Sequence, residues 1–185
     1  MDPALVKTSR FLSKVLRHAP ESVGLRLDEG GWVDVDDLLA AARGAGVRMD
    51  RETLERVVAE NDKQRFAFSA DGARIRASQG HSVTVELGLS AVEPPEVLFH
   101  GTADRHLDSI RQQGLLPGRR THVHLSPDEA TAVNVGRRHG RPVVLRIQSG
   151  EMHRAGHAFF RSDNGVWLTN AVPPNHIEFP AGREP

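Results

Sequence analysis

The chain has 185 residues, no cysteine, 24 Lys plus Arg against 24 Asp plus Glu, and 38% hydrophobic residues. This is the composition of an ordinary globular chain of one or two small domains, and it excludes disulfides, thiolate zinc sites and a cysteine nucleophile. Zero net charge argues against broad, nonspecific nucleic-acid binding through overall charge. No apolar run is long enough for a membrane span and no signal-peptide pattern opens the sequence, so the expectation is a cytoplasmic protein with no membrane partner.

In chain order, Leu5, Thr8, Phe11, Leu12, Val15 and Leu16 fall at helical spacing over residues 4–18, and Ala19-Pro20 ends that helix. A short strand pair is expected at Gly24–Leu27 and Trp32–Val35 across the turn-rich DEGG. Asp34 or Asp36 can cap a helix through Leu38–Arg43, and Asp50 can cap another over MDRETLERVVAEN. RFAFS and ARIRA flank the turn ADG and read as a hairpin. Helices followed by a hairpin suggest a winged-helix arrangement. GLSAVEPPE then changes the character of the text, with Pro94-Pro95 as the linker candidate. Beyond it the sequence predicts a strand at Val97–His100, a helix near Asp104–Gln113, and a strand carrying His122 and His124. A capping box, SPDE at 126–129, should open a helix to about His139. PVVLRIQS reads as a buried strand, FFRSDNGVWLT as two strands about Asn164-Gly165, and HIEF as a last strand. The expected class is α+β in two lobes, 1–92 and 93–185, with a cleft between them.

Several positions could carry chemistry. Only Lys7, Lys14 and Lys63 are lysines, so 21 of the 24 basic residues are arginine, the side chain suited to forked phosphate recognition. A GC-rich genome accounts for the bias but not for where particular arginines fall. Arg17-His18 ends the first helix, where cations complement the helix dipole. Arg65 could pair with Asp62, and Arg120 could be a solvated loop arginine. In HGT, Gly101 would let a ligand approach the backbone, beside the hydrogen-bonding groups of His100 and Thr102. His122 and His124 share a strand face, as metal ligands or a pocket wall would. No H-E-x-x-H and no nearby acid accompany them, and Arg119 and Arg120 oppose a cation, so no metal is expected.

The stretches SKVLRH (13–18), NDKQRF (61–66), QGHS (79–82), FHGT (99–102), RTHVHLS (120–126), GRRHGRPVVL (136–145) and NGVWLT (164–169) occur in that order. Together they resemble the NAD-dependent RNA 2'-phosphotransferase family, which acts on tRNA. The resemblance runs from about residue 8 to 179. It implies an N-terminal winged-helix lobe that binds RNA and a C-terminal lobe of the ADP-ribosyltransferase fold that binds NAD. It also implies a two-step reaction. An internal RNA 2'-phosphate attacks C1'' of the nicotinamide ribose and expels nicotinamide. The ribose 2''-hydroxyl then attacks the phosphate, releasing 2'-hydroxyl RNA and ADP-ribose 1'',2''-cyclic phosphate.

On this resemblance the catalytic set falls on Arg17, His18, Arg65 and Arg120, with His18 assigned to the second step. The NAD contacts fall on His100, Gly101, Thr102, His124, Leu125, Ser126, Arg138 and Val166. His124 corresponds to a tyrosine of many ADP-ribosyltransferases, and Val166 to their glutamate, a carboxylate that an anionic phosphate nucleophile would not tolerate. Lys14 and Lys63 match positions suited to RNA phosphates. Gly118 departs from the resemblance, standing where methionine is expected. A monomer acting on a tRNA-like RNA with an internal 2'-phosphate, using NAD and no metal, is the expectation. A non-catalytic winged-helix nucleic-acid-binding protein and an ADP-ribosyltransferase with another acceptor are the alternatives.

Overall fold

Helix α1, Pro3–Arg17, forms because Leu5, Leu12, Val15 and Leu16 recur at spacings that put them on one face, and all four are buried. It opens a computed structural model that describes residues 3–28, 30–61, 63–83 and 88–180. The helices and small antiparallel sheets make an α+β chain, divided into two compact units, Met1–Gly88 and Leu89–Pro185.

In the first unit α1 gives way to a single 3₁₀ turn, Pro20–Val23, which Gly24 closes at φ 73°. The expected strand at 24–27 does not form. Leu25 sends its N–H back to Pro20 O (3.0 Å), and Asp28 closes a tight loop by accepting the Trp32 N–H on Oδ1 (2.8 Å). Strand β1, Trp32–Asp34, pairs instead with a partner more than forty residues on. Asp34 and Asp50 do cap the next two helices, α2 (Val35–Gly44) and α3 (Arg51–Ala59). Their carboxylates accept N–H groups of Asp36 and Thr53 at 2.8 Å. The hairpin also forms, as β2 (Phe66–Phe68) and β3 (Arg74–Ala77), giving an antiparallel sheet in the order β1-β3-β2. Leu12, Leu16, Leu38, Leu54 and Ile75 are wholly buried in the core of this unit.

The second unit contains the Pro94-Pro95 segment, which is tied into it. Val92 N–H reaches Phe159 O (2.8 Å), Pro95 O accepts the Ser149 hydroxyl (2.6 Å), and Glu96 pairs with Arg154 through both oxygens. The unit boundary falls at Gly88–Leu89, a few residues before the position expected from the prolines. Strand β4 (Leu98–Ala103) leads to a 3₁₀ turn and α4 (Leu107–Gln113), then to β5 (Val123–Leu125). Helix α5, Glu129–Gly136, does not begin with the expected cap. Its N-cap is Asp128, accepting from Thr131 N–H (2.7 Å), because the Ser126 backbone is held extended by two bonds to Phe99 (2.7 and 2.9 Å).

Then come β6 (Pro142–Ile147), a short helix α6 (Ser149–Arg154) that the sequence pattern does not announce, β7 (Phe159–Arg161), β8 (Trp167–Thr169) and β9 (Ile177–Glu178). They build two antiparallel sheets, β4-β6-β9 and β5-β8-β7, bridged where Phe99 meets Ser126. Among the described residues no helix is long and apolar enough to cross a membrane.

Candidate functional site

In the first unit the predicted residues converge on one another. Arg17, at the end of α1, reaches across to donate from Nη2 to Arg65 O (3.4 Å), and its guanidinium lies 5.9 Å from the Phe66 ring. It therefore does more than complement the α1 dipole. Arg65 donates from Nη1 to Asn61 Oδ1 (3.2 Å), and Asn61, only 2% exposed, also accepts the Lys63 N–H (3.1 Å) on that oxygen. Asn61 is thus a buried hub at the start of the NDKQRF stretch. Gln64, in the same stretch, takes a left-handed φ of 42°, a strained conformation for a residue with a Cβ. Asp62, the surface partner considered for Arg65, lies outside the described residues.

His18 follows α1 directly, with Nδ1 2.9 Å from Ser82 Oγ, while Ser82 N–H donates to Arg17 O (2.8 Å). The residue before Ser82 is His81, wholly buried, whose imidazole is pushed down to about 4 by desolvation and then by the charges of Arg17, His18 and Arg76. Every charge in that list is cationic. Arg76 itself lies over the Trp32 ring at 4.5 Å. Lys14 and Lys63 are exposed. NDKQ and QGHS mark the neighbourhood of Asn61, Arg76, His81 and Ser82, but contacts such as Arg17 to Arg65 and His18 to Ser82 span 48 and 64 residues and leave no local pattern.

In the second unit backbone register does the positioning. His124 on β5 sits opposite Leu168 on β8, which sits opposite Phe160 on β7. Arg120 donates from Nη1 to His124 Nδ1 at 2.9 Å. A guanidinium has no acceptor, so His124 must leave Nδ1 bare and carry its proton on Nε2. His100 Nδ1 donates to the His124 carbonyl (3.0 Å), which leaves His100 Nε2 as an acceptor, and desolvation holds that ring below the usual histidine range. The Arg120 guanidinium is lowered by desolvation and then by the charge of Arg138, so Arg138 joins this group. Ser126 continues β5 beside His124, and Val166 precedes Trp167, the β8 partner of Leu125. The β7–β8 turn is held by buried Ser162, whose Oγ accepts the Val166 N–H (3.1 Å).

Three expectations change in detail. A Cβ on Gly101 would lie 1.8 Å from Ala132 O, so glycine is required there by the close approach of α5. Leu125 is 1% exposed within the core, so only its backbone is available to a ligand. His122 turns to the Phe160 ring, 5.5 Å between centroids, and to Thr121 Oγ1. Among the described residues no three His, Asp or Glu side chains gather as metal ligands. Gly118 adopts φ 62°, where a methionine would be strained, and Arg120 N–H closes its turn on Pro117 O (3.1 Å).

Each unit thus groups guanidinium and imidazole side chains, the donor set of proteins that handle multiply charged oxyanions such as phosphate esters. The chain belongs to the RNA 2'-phosphotransferase family: residues 3–171 match the family described as RNA 2'-phosphotransferase, Tpt1 / KptA family. It is similar to a probable RNA 2'-phosphotransferase of Agrobacterium fabrum, 59% identical over 92% of this chain and 91% of the relative. One of Streptomyces coelicolor is 56% identical over 95% and 96%, and one of Pseudomonas aeruginosa 57% identical over 92% and 94%.

Proposed function

We propose that this protein transfers an internal RNA 2'-phosphate to NAD, yielding 2'-hydroxyl RNA, nicotinamide and ADP-ribose 1'',2''-cyclic phosphate by way of an ADP-ribosylated RNA. Family membership supports the reaction class. The observation that carries the mechanism is the chemistry of the two groups, in which guanidinium and imidazole side chains are gathered closely enough to lower one another's pKa, a concentration of cations that a phosphate would relieve. Arg17, Arg65 and Arg120 neutralise and orient phosphate oxygens without changing protonation. His18 exchanges a proton with a hydroxyl in the second step.

The second unit's groups suit NAD as co-substrate. His100 offers Nε2, His124 offers an Nε2–H, and Thr102, Ser126 and Arg138 add hydroxyls and a cation beside them. Gly101 and Leu125 contribute backbone, and Val166 brings no carboxylate at its own position. Lys14 and Lys63 meet RNA phosphates. A winged-helix first unit that holds RNA, an ADP-ribosyltransferase-like second unit that holds NAD, a tRNA-like substrate, a monomeric chain and a cytoplasmic setting belong to the same proposal.

The test is incubation with a short RNA bearing one internal 2'-phosphate, with and without NAD, and products resolved by mass. NAD-dependent loss of phosphate with appearance of the cyclic phosphate is expected. Arg120→Ala and His18→Ala should each lose on the order of 10² to 10⁴ in rate, the latter accumulating ADP-ribosylated RNA. RNA binding without any NAD-dependent product would leave a non-catalytic binding protein. Modification of protein but not of this RNA would leave a transferase with another acceptor.

A further inference from the structure

The QGHS stretch carries no role in the mechanism so far, yet it supplies a side-chain partner of His18. Ser82 Oγ stands 2.9 Å from His18 Nδ1. The serine is fixed from two sides. Its N–H donates to Arg17 O (2.8 Å), the carbonyl immediately before His18, and the residue before it, His81, is wholly buried. His18's own N–H returns to Lys14 O (3.0 Å), so the backbones at both ends of the contact are anchored to α1.

A hydroxyl both donates and accepts, which suits a partner that changes protonation. When Ser82 donates to Nδ1 of a neutral imidazole, the ring proton stays on Nε2. Toward an imidazolium, the same oxygen accepts from Nδ1–H without either group moving. The ring keeps one orientation in both states, and Nε2 is left as the nitrogen that works. His81, the residue before Ser82, has Arg17, His18 and Arg76 as charged neighbours.

We propose that Ser82 is a positioning residue for His18, fixing the ring and its Nε2–H form through the Nδ1 hydrogen bond. The catalytic half of this proposal rests on the role given to His18 above; the structural half does not. Ser82 is exposed and Ser82→Ala keeps its N–H, so the bond to Arg17 O survives and the fold should be unaffected.

The experiment uses the full chain as wild type, Ser82→Ala and Ser82→Thr. Imidazole ¹H–¹⁵N correlation spectra, with His18 assigned by its loss in His18→Gln, read the tautomer directly. Wild type and Ser82→Thr should show His18 predominantly as the Nε2–H form, and Ser82→Ala a shift toward a mixture. An unchanged His18 signal in Ser82→Ala overturns the proposal. In the 2'-phosphate assay Ser82→Ala should lower kcat on the order of tenfold. KM for RNA should hold, ADP-ribosylated RNA should build up, and Ser82→Thr should restore the rate. A tautomer shift with kcat unchanged overturns the catalytic half and the role of His18 together, while leaving the structural half standing. If wild type shows no NAD-dependent product, the function fails and the spectra alone decide the structural half.

Discussion

The two units solve the same problem, holding positive groups close together, by different means. In the first, Arg17, His18 and Arg65 are placed by side-chain contacts, one of them local, Asn61 with Arg65, and others between distant parts of the sequence: Arg17 on the Arg65 carbonyl and Ser82 on His18, with His81 packed among the cations. In the second, His100, His124 and Ser126 are placed by strand register, through the Phe99–Ser126 bridge and the pairing of β5 with β8. The difference teaches where each unit is vulnerable. The first should respond most to polar substitutions, the second to anything that disturbs how helix and strand meet.

The largest effect should come from Gly101→Ala. The new methyl would fall 1.8 Å from Ala132 O, on backbone that cannot swing aside, so β4 and α5 must separate. A loss of about 3 kcal/mol in urea unfolding is expected; a loss under about 1 kcal/mol would mean the helix–strand contact yields easily and register is not what holds this unit.

A smaller effect belongs to the first unit. Folded His81 protonates only near 4 while the unfolded side chain does so near its ordinary 6.5, so the unfolded state takes up the proton first as pH falls. Stability is therefore intact above about pH 7 and declines as pH drops toward 4, by about 2 kcal/mol at pH 5 from this residue alone. His100 and His122 are lowered as well and add in the same direction. The decline between pH 7 and 5, followed by urea midpoints, should be clearly shallower in His81→Gln. Parallel curves would show that His81 is not kept neutral by its surroundings.

The smallest effect separates two neighbouring residues of the second unit. Asp128→Ala should cost about 1 kcal/mol, the usual loss of an N-cap, whereas Ser126→Ala should leave thermal stability nearly unchanged because its contribution to the fold is backbone. The reverse order would restore the serine as the cap.

What was legible in the sequence follows from the range of the interaction. Asp34 and Asp50 bond N–H groups two and three residues on, and Asn164-Gly165 turns within one hairpin, so local text suffices. Ser126 misled because its competitor for the cap, Asp128, is local while its actual obligation, Phe99, is 27 residues away. Gly24–Leu27 looked like a strand because Leu25 and Leu27 alternate; both pack on the core without pairing. Helix α6 has only six residues, too few for a periodic signal. The candidate arginines and histidines take their roles from the resemblance, and neighbours such as Arg76 and Ser82 meet them only in the folded chain.

The cation–ring contacts have a spectroscopic meaning. The chain has two tryptophans and no tyrosine, and each unit holds one tryptophan: Trp32 beneath Arg76 at 4.5 Å, and Trp167 beside Arg161 at 5.8 Å. Its near-ultraviolet emission therefore reports one fluorophore per unit, each beside an arginine. Replacing either indole with phenylalanine turns the whole protein into a single-colour gauge of the other half.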